Sequence, residues 1–147
     1  MATAPVVEES PSTHTGSIES WHALFKRYAA AKRKAQDYEA TDYDPMRRAF
    51  MAQFPKWPSD LVSAAAEKWS REHGFDVVAT RHDELVNAYA ELGDELIKRP
   101  APDEKAALWK FDFLFADFDE NGFHTSNWSH EYCSQALVDI RRFLSAV

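Results

Sequence analysis

The sharpest chemical pattern in the chain is Asp117-Phe118-Asp119-Glu120-Asn121-Gly122. It matches the opening D-x-[DN]-x-[DN]-G of a calcium-binding EF-hand loop, where side-chain oxygens at alternate positions converge on the ion and the glycine permits the turn. The rest of the loop chemistry does not follow. With Asp117 as the first position, Trp128 stands where a bidentate Glu is required, and His124 stands where an apolar residue is usual. Starting at Asp119 instead puts His124 at the glycine position and His130 at the end. No second loop is present to pair with it. The segment reads as an acidic Asn-Gly turn joining two helices.

His124, His130 and Cys133, with Glu131, are the other metal-ligating types close in sequence. Zinc needs four N, S or O ligands in a tetrahedron, usually from short paired spacings. His130 and Cys133 are three apart and could share a helix face, but no second pair of Cys or His lies nearby. No metal and no cofactor is therefore expected. Cys133 as a nucleophile would need a base and a depressed pKa, and its place in mid-helix beside core positions predicts a buried thiol. His82 could serve as a general base, yet it falls on an apolar stripe and reads as a core histidine. There is no phosphate-cradling glycine loop, no nucleophile elbow and no helical H-E-x-x-H. The chain is expected to be non-enzymatic. The alternative is a metal-dependent binding protein or hydrolase using the 117–133 segment.

The elements that position these residues are helical. Val78, His82, Leu85, Tyr89, Leu92 and Leu96 recur in 4-3-4-3-4 steps, which keeps one stripe on one face of an α-helix. A first long helix is read from Trp21, Leu24, Tyr28, Ala31, Ala35 and Tyr38, with Ser17 or Ser20 as cap and Glu19 in the first turn. A last one is read from Trp128, Tyr132, Ala136, Ile140 and Phe143, with Cys133, Leu137 and Leu144 beside them. An aromatic helix starts at Pro102, with Leu108, Phe111, Phe115 and Phe118 inward. Its Trp109 and Phe113 point elsewhere, either to a central position in the bundle or to an exposed contact patch. Between the first helix and the organising one, Asp44-Pro45 and Trp57-Pro58 each read as a helix start, with Met46, Ala49 and Phe50, then Leu61, Ala65 and Trp69, inward. Gly74 ends this inserted pair as a left-handed residue, and Asp76 caps the organising helix. Gly93, inside that helix, fits either a close helix crossing or a simple surface position.

The expectation is an all-α antiparallel bundle. Its long helices span 18–40, 77–99 and 127–145, joined by the aromatic helix 103–118 and an inserted helical pair at 42–75. Residues 1–16 are expected to form a disordered tail, and 17–147 one domain.

Composition limits the function classes. The 147 residues carry 24 acidic and 17 basic side chains, a net charge of −7, which argues against a general nucleic-acid binder. No apolar run approaches the roughly 20 residues of a membrane span, and the first residues lack a secretory signal, so a soluble cytoplasmic protein is expected. A single Cys excludes an internal disulfide framework. Five Trp and ten Phe exceed what a core of this size needs, and surplus aromatics are the material of interface anchors. Trp109 and Phe113 are the aromatic candidates for an interface. Lys26, Arg27 and Arg33 are the basic ones, on the most cationic helix, and would suit an acidic partner or, as a further alternative, nucleic acid.

Several blocks carry a resemblance: Trp21-His22-Ala23-Leu24 through Tyr28; Ala101-Pro102-Asp103 with Ala107-Leu108-Trp109-Lys110; Trp128-Ser129-His130-Glu131-Tyr132; and Asp139-Ile140-Arg141-Arg142-Phe143-Leu144. Together they resemble a group of short helical bacterial proteins that recur in prophages and other mobile elements. The resemblance covers the first long helix and roughly residues 77–145, and it brings no activity, cofactor or site. What it implies is a protein-binding regulator or inhibitor of a host machine. The Val78–Leu96 stripe is expected to pack inside the chain, with self-association through it as the alternative.

Overall fold

The computed structural model describes residues 19–58, 62–115 and 130–144. The expected tail, Ser17, Leu61, Phe118, the Asp117–Gly122 loop, His124 and Trp128 lie outside the described residues, as do the side chains of Phe115, His130, Glu131 and Tyr132. Elements run in the order α1 (Trp21–Tyr38), a π-helical turn (Glu39–Tyr43), α2 (Asp44–Gln53), α3 (Ser63–His73), α4 (Phe75–Lys98), α5 (Glu104–Phe115) and α6 (His130–Leu144). No strand occurs among the described residues, and the fold is the expected all-α bundle.

Helices α1 and α4 form its antiparallel spine. Ser20 caps α1, its Oγ accepting a hydrogen bond from the Ala23 amide at 3.1 Å. Glu19, expected in the first turn, precedes the cap and pairs with Arg27 at 2.7 Å. The inner face of α1 is Trp21, Leu24, Tyr28 and Ala35, all buried. The α4 stripe faces it, with Leu85 and Leu96 buried and Val78, His82, Tyr89 and Leu92 half-buried. A hydrogen bond closes each end of the pair. Trp21 Nε1 donates to the Leu96 carbonyl at 3.2 Å, and Tyr38 Oη donates to the Val78 carbonyl at 3.4 Å. Trp21 to Tyr38 and Val78 to Leu96 each rise by about 26 Å, so the two faces match in length. The stripe thus packs within the chain.

Gly93 marks a close crossing, one of the two readings its position allowed. A methyl group there would meet Phe113 Cε2 at 3.1 Å and Tyr28 Cε2 at 3.3 Å. The missing side chain lets rings from α1 and α5 rest on the α4 backbone. Leu24, Leu96 and Ile97 are fully buried nearby. Each contributes about 1.5–3 kcal/mol by leaving water.

The inserted segment departs from expectation at its start. Asp44-Pro45 does not open a separate helix. Tyr43 and Asp44 have helical dihedrals, and the chain passes from α1 to α2 through the π turn, in which the Asp44 amide donates to the Glu39 carbonyl. Pro45 has no amide hydrogen, and its ring crowds the carbonyl four residues back, at Thr41. The wider turn falls on the residues where that crowding arises. Ala49 faces solvent, while Phe50 is buried as expected. Trp57-Pro58, a cis peptide, does not start α3 either, since that helix begins at Ser63 after Val62. On α3 Ala66 is buried and Ala65 exposed. Gly74 is left-handed, with φ 72°, and ends α3 as expected; α4 begins on the next residue, so Asp76 lies in its first turn and is not the cap.

The aromatic helix is rotated from its expected phase. Ala106, Ala107, Lys110 and Leu114 are buried, and Trp109 and Phe113 pack half-buried against the same core. Leu108 and Phe111, expected inward, are 44% and 41% exposed. Pro102 precedes the helix, and Asp103 caps it, accepting from the Ala106 amide at 2.9 Å. On α6 the buried residues are Cys133, Ala136 and Asp139, whereas Leu137 faces solvent. The phase of both helices is fixed by one contact. Lys110 Nζ lies 2.5 Å from Asp139 Oδ2, and both side chains are buried. Lys110 also donates to the Arg99 carbonyl, and Asp139 accepts from the Ala101 amide at 3.0 Å and from Gln135 at 3.1 Å. The α4–α5 connection, α5 and α6 are tied by this network. Burial pushes the Lys110 ammonium below its ordinary pKa, and the hydrogen bond and charge of Asp139 oppose that.

Candidate functional site

A row of aromatic rings runs from the middle of α4 to the connection after α2. His82 and Tyr43 stack at 4.0 Å between centroids, 7° from parallel. Tyr43 approaches Phe75 at 6.1 Å, Phe75 approaches Phe50 at 5.0 Å, and Phe50 meets Trp57 at 5.4 Å, nearly perpendicular. These residues come from the π turn, α2, the α2–α3 connection and the start of α4. The π turn puts Tyr43 beside α4, and left-handed Gly74 folds Phe75 back onto α2. Phe50, Phe54 and Ala66 form the buried floor, with Val62, Trp69 and Phe75 packed against it.

Above this floor is an open hollow of about 530 Å³. Tyr43, Phe50, Met51, Trp57, Ala66 and Phe75 make its walls, with Ser70 on one side. Trp57 is 45% exposed and Met51 39%, so both lie at the mouth. Arg47, Glu67, Arg71 and Asp76 surround them. Arg47 pairs with Asp44 at 3.2 Å, and Arg71 reaches Glu67 at 3.9 Å. With Asp44 the mouth sets three carboxylates against two guanidinium groups, in keeping with a chain whose net charge is −7. Few polar groups face a mostly apolar interior, and the volume is that of a small-molecule or side-chain pocket. Nothing in it combines a nucleophile with a base.

His82 lies beyond Tyr43 at the end of the ring row. Its side chain is 15% exposed, its Nδ1 has no hydrogen-bond partner, and the Asp83 carboxylate lies 3.7 Å away. It holds a core position, flat against a tyrosine.

Compared with known proteins, the chain matches no family model, no curated protein and no solved structure. The site is therefore read from its own geometry.

The residues singled out in the sequence fall into separate places. Trp109 packs against Trp21, Phe25, Tyr28 and Phe113, with centroid distances of 5.7, 5.6, 5.3 and 4.9 Å. Trp109 and Phe113 are thus spent largely within the chain, and among the described residues Trp57 is the exposed indole. Lys26, Arg27 and Arg33 are exposed on α1, away from the hollow's lining. Arg27 is paired with Glu19, whereas Lys26 and Arg33 have no ion pair among the described residues. Cys133 is buried, and burial raises its thiol pKa, which disfavours the thiolate a nucleophile needs. No group of three His, Cys, Asp or Glu that could hold a metal ion occurs among the described residues. None of the described helices is long and apolar enough to cross a membrane.

The hollow was hidden from sequence periodicity because its walls come from five different elements. One signal was available. Tyr43, Phe50 and Trp57 are spaced by sevens, and Trp57 stands between Pro55 and Pro58, where no helix can carry it into a core.

Proposed function

We propose that the protein is a non-enzymatic interaction module that engages another protein through the aromatic hollow. The observation that carries this reading is Trp57, a large ring left open at the mouth of a hollow already floored by packed aromatics. Tryptophan in such a setting is the residue type that most often anchors an interface. A cytoplasmic regulator or inhibitor of a host protein, in the setting of a mobile element, is the corresponding role, supported by the sequence blocks alone. The test is capture of partners from nuclease-treated host lysate by tagged wild type and by Trp57→Ala. A stoichiometric protein held by the first and lost with the second is expected. Equal recovery by both sinks the reading.

A second reading rests on α1. That helix carries Lys26, Arg27, Lys32, Arg33 and Lys34 against the single carboxylate of Asp37, in an otherwise acidic chain. Lys26 and Arg33, seven residues apart on one side, have no counter-charge among the described residues. An acidic protein surface suits this face, and nucleic acid is the rival. Binding to duplex DNA or RNA that weakens steeply with salt would favour the rival.

A further inference from the structure

We propose that the α1–α4 spine pairs with a second copy of this chain, through the flank of the two helices that α5 leaves uncovered. Successive residues on a helix point about 100° apart, so the residue after a core position lies on one flank and the residue before it on the other. Phe25 and Gly93 follow the core positions Leu24 and Leu92, and α5 covers them with Trp109 and Phe113. Arg27, Lys34, Glu84 and Glu91 precede the core positions Tyr28, Ala35, Leu85 and Leu92, and all four are exposed. In an antiparallel pair the two preceding flanks fall on the same side. That side therefore presents a row of cations on α1 beside a row of carboxylates on α4. Ala30 and Ala88, exposed on the same side, keep it low. Arg27 already holds Glu19, and Glu84 holds Arg81. Lys34 and Glu91 have no ion pair among the described residues. The face involves neither the hollow nor Lys26 and Arg33, which lie further round α1.

Register gives the second argument. The Trp21–Leu96 and Tyr38–Val78 hydrogen bonds fix the levels of the two helices. Counted from them at about 1.5 Å per residue, Arg27 lies level with Glu91 and Lys34 with Glu84, each within about 3 Å. A two-fold axis parallel to the spine lays α1 of one copy on α4 of the other and keeps every level. Lys34 then meets Glu84 and Arg27 meets Glu91, twice over by symmetry. Each charge left over in the single chain, Lys34 and Glu91, thereby gains an opposite one. A two-fold axis across the spine would set α1 on α1 and α4 on α4, like charge on like. An acidic partner of another kind would use the cations and be repelled by the carboxylates beside them. The self-complementary rows select a second copy. Two helices about 26 Å long and about 10 Å wide offer about 500 Å² on each copy, below the standard size of specific interfaces. The chain's net charge of −7 also opposes approach. The pairing is therefore weak and needs high protein concentration.

The experiment is sedimentation velocity on the full chain, up to its highest soluble concentration, in salt of about 0.1 M and about 1 M. At the lower salt the screening length of about 10 Å already damps the repulsion between whole copies, but not the attraction between charges in contact. A monomer–dimer equilibrium is expected there, weakened about tenfold or more at the higher salt. Two charge-reversed proteins extend the test, Arg27→Glu with Lys34→Glu and Glu84→Lys with Glu91→Lys. Each should be monomeric with its helical circular dichroism unchanged, since all four positions are exposed. Each carries one sign of charge on both rows, and the other carries the opposite sign. Mixed in equal amounts, the two should associate at least as well as the wild type. A wild type that stays monomeric at every concentration would overturn the proposal. So would a dimer that tightens between the two salt concentrations, a charge-reversed protein that dimerises alone, or a mixture no more associated than its separate components.

Discussion

Lys110 and Asp139 form an ion pair sealed from solvent, their side chains 0% and 2% exposed and joined at 2.5 Å between α5 and α6. Breaking such a pair from one side leaves a buried charge uncompensated. Lys110→Met is expected to destabilise the fold by about 3–5 kcal/mol, and Asp139→Leu by at least as much. The double variant should recover part of that loss. It cannot recover all, because the Ala101 amide also donates to Asp139 and would be left unpaired at a cost of about 1–3 kcal/mol. Urea unfolding of the four proteins measures this cycle. Additive losses would mean that the two groups do not act as a pair.

Trp109 and Trp57 should behave in opposite ways. Trp109→Ala removes a ring that touches four others and should cost about 3 kcal/mol or more. Trp57→Ala should cost less than about 1 kcal/mol, since the ring is already half in water and meets one ring, Phe50, among the described residues. Thermal unfolding decides between this order and its reverse, which would make Trp57 the core residue.

At Gly93 the outcome depends on size. Gly93→Ala gains about 1 kcal/mol of helix propensity but presses a methyl against Phe113 and Tyr28, so little net change is expected. Gly93→Leu has no room and should cost about 1–3 kcal/mol through overpacking. A leucine tolerated without loss of stability would show that the three helices do not cross closely there.

Asp103 sets an acid limit at the start of α5. The Ala106 amide, with smaller help from His22, holds its carboxyl below the usual 3.8. A carboxylate with a lowered folded pKa contributes stability above its unfolded value, and that contribution disappears as pH falls through the folded one. The side-chain carbon of Asp103 should therefore titrate with a midpoint below 3.8. Asp103→Ala should flatten the stability profile in that range. A midpoint at or above the ordinary value would mean that the cap is not formed.

Cys133 offers a chemical clock. Its thiol is buried, and burial raises its pKa. Alkylation by iodoacetamide at mildly alkaline pH should be slow in the native protein and rise steeply with denaturant. Rapid labelling of the native state would place the thiol at the surface.

The α1–α4 spine was legible because each helix has one apolar stripe and nothing competes with it. Gly93 was legible only in part, since a glycine in mid-helix fits a close crossing and an exposed position alike until the neighbours Phe113 and Tyr28 are placed. The aromatic helix was not legible. Leu108 and Phe111 offer one apolar arc, Trp109 and Phe113 another, and periodicity cannot rank them. The choice is made by Lys110, whose partner lies 29 residues away, and by Ala106 and Ala107, which are small enough for a close crossing. For the same reason Asp139 turns inward on α6 while Leu137 is left in water. Proline was read too simply at Asp44-Pro45, where a widened turn absorbs the strain and the helix goes on.

That widened turn has a mechanical consequence. From Trp21 to Gln53 the backbone is one rod, without a hinge between the spine and the wall of the hollow. The π turn, holding an extra residue, offsets α2 from α1 by about 100° of rotation relative to an uninterrupted helix. The rod transmits torque: a partner that twists Phe50 or Tyr43 also twists Tyr28 and Ala35 against α4. Removing one residue from Glu39–Tyr43 would wind the offset out and swing the hollow's wall away from Phe75, though every side chain that lines it would still be present in the chain.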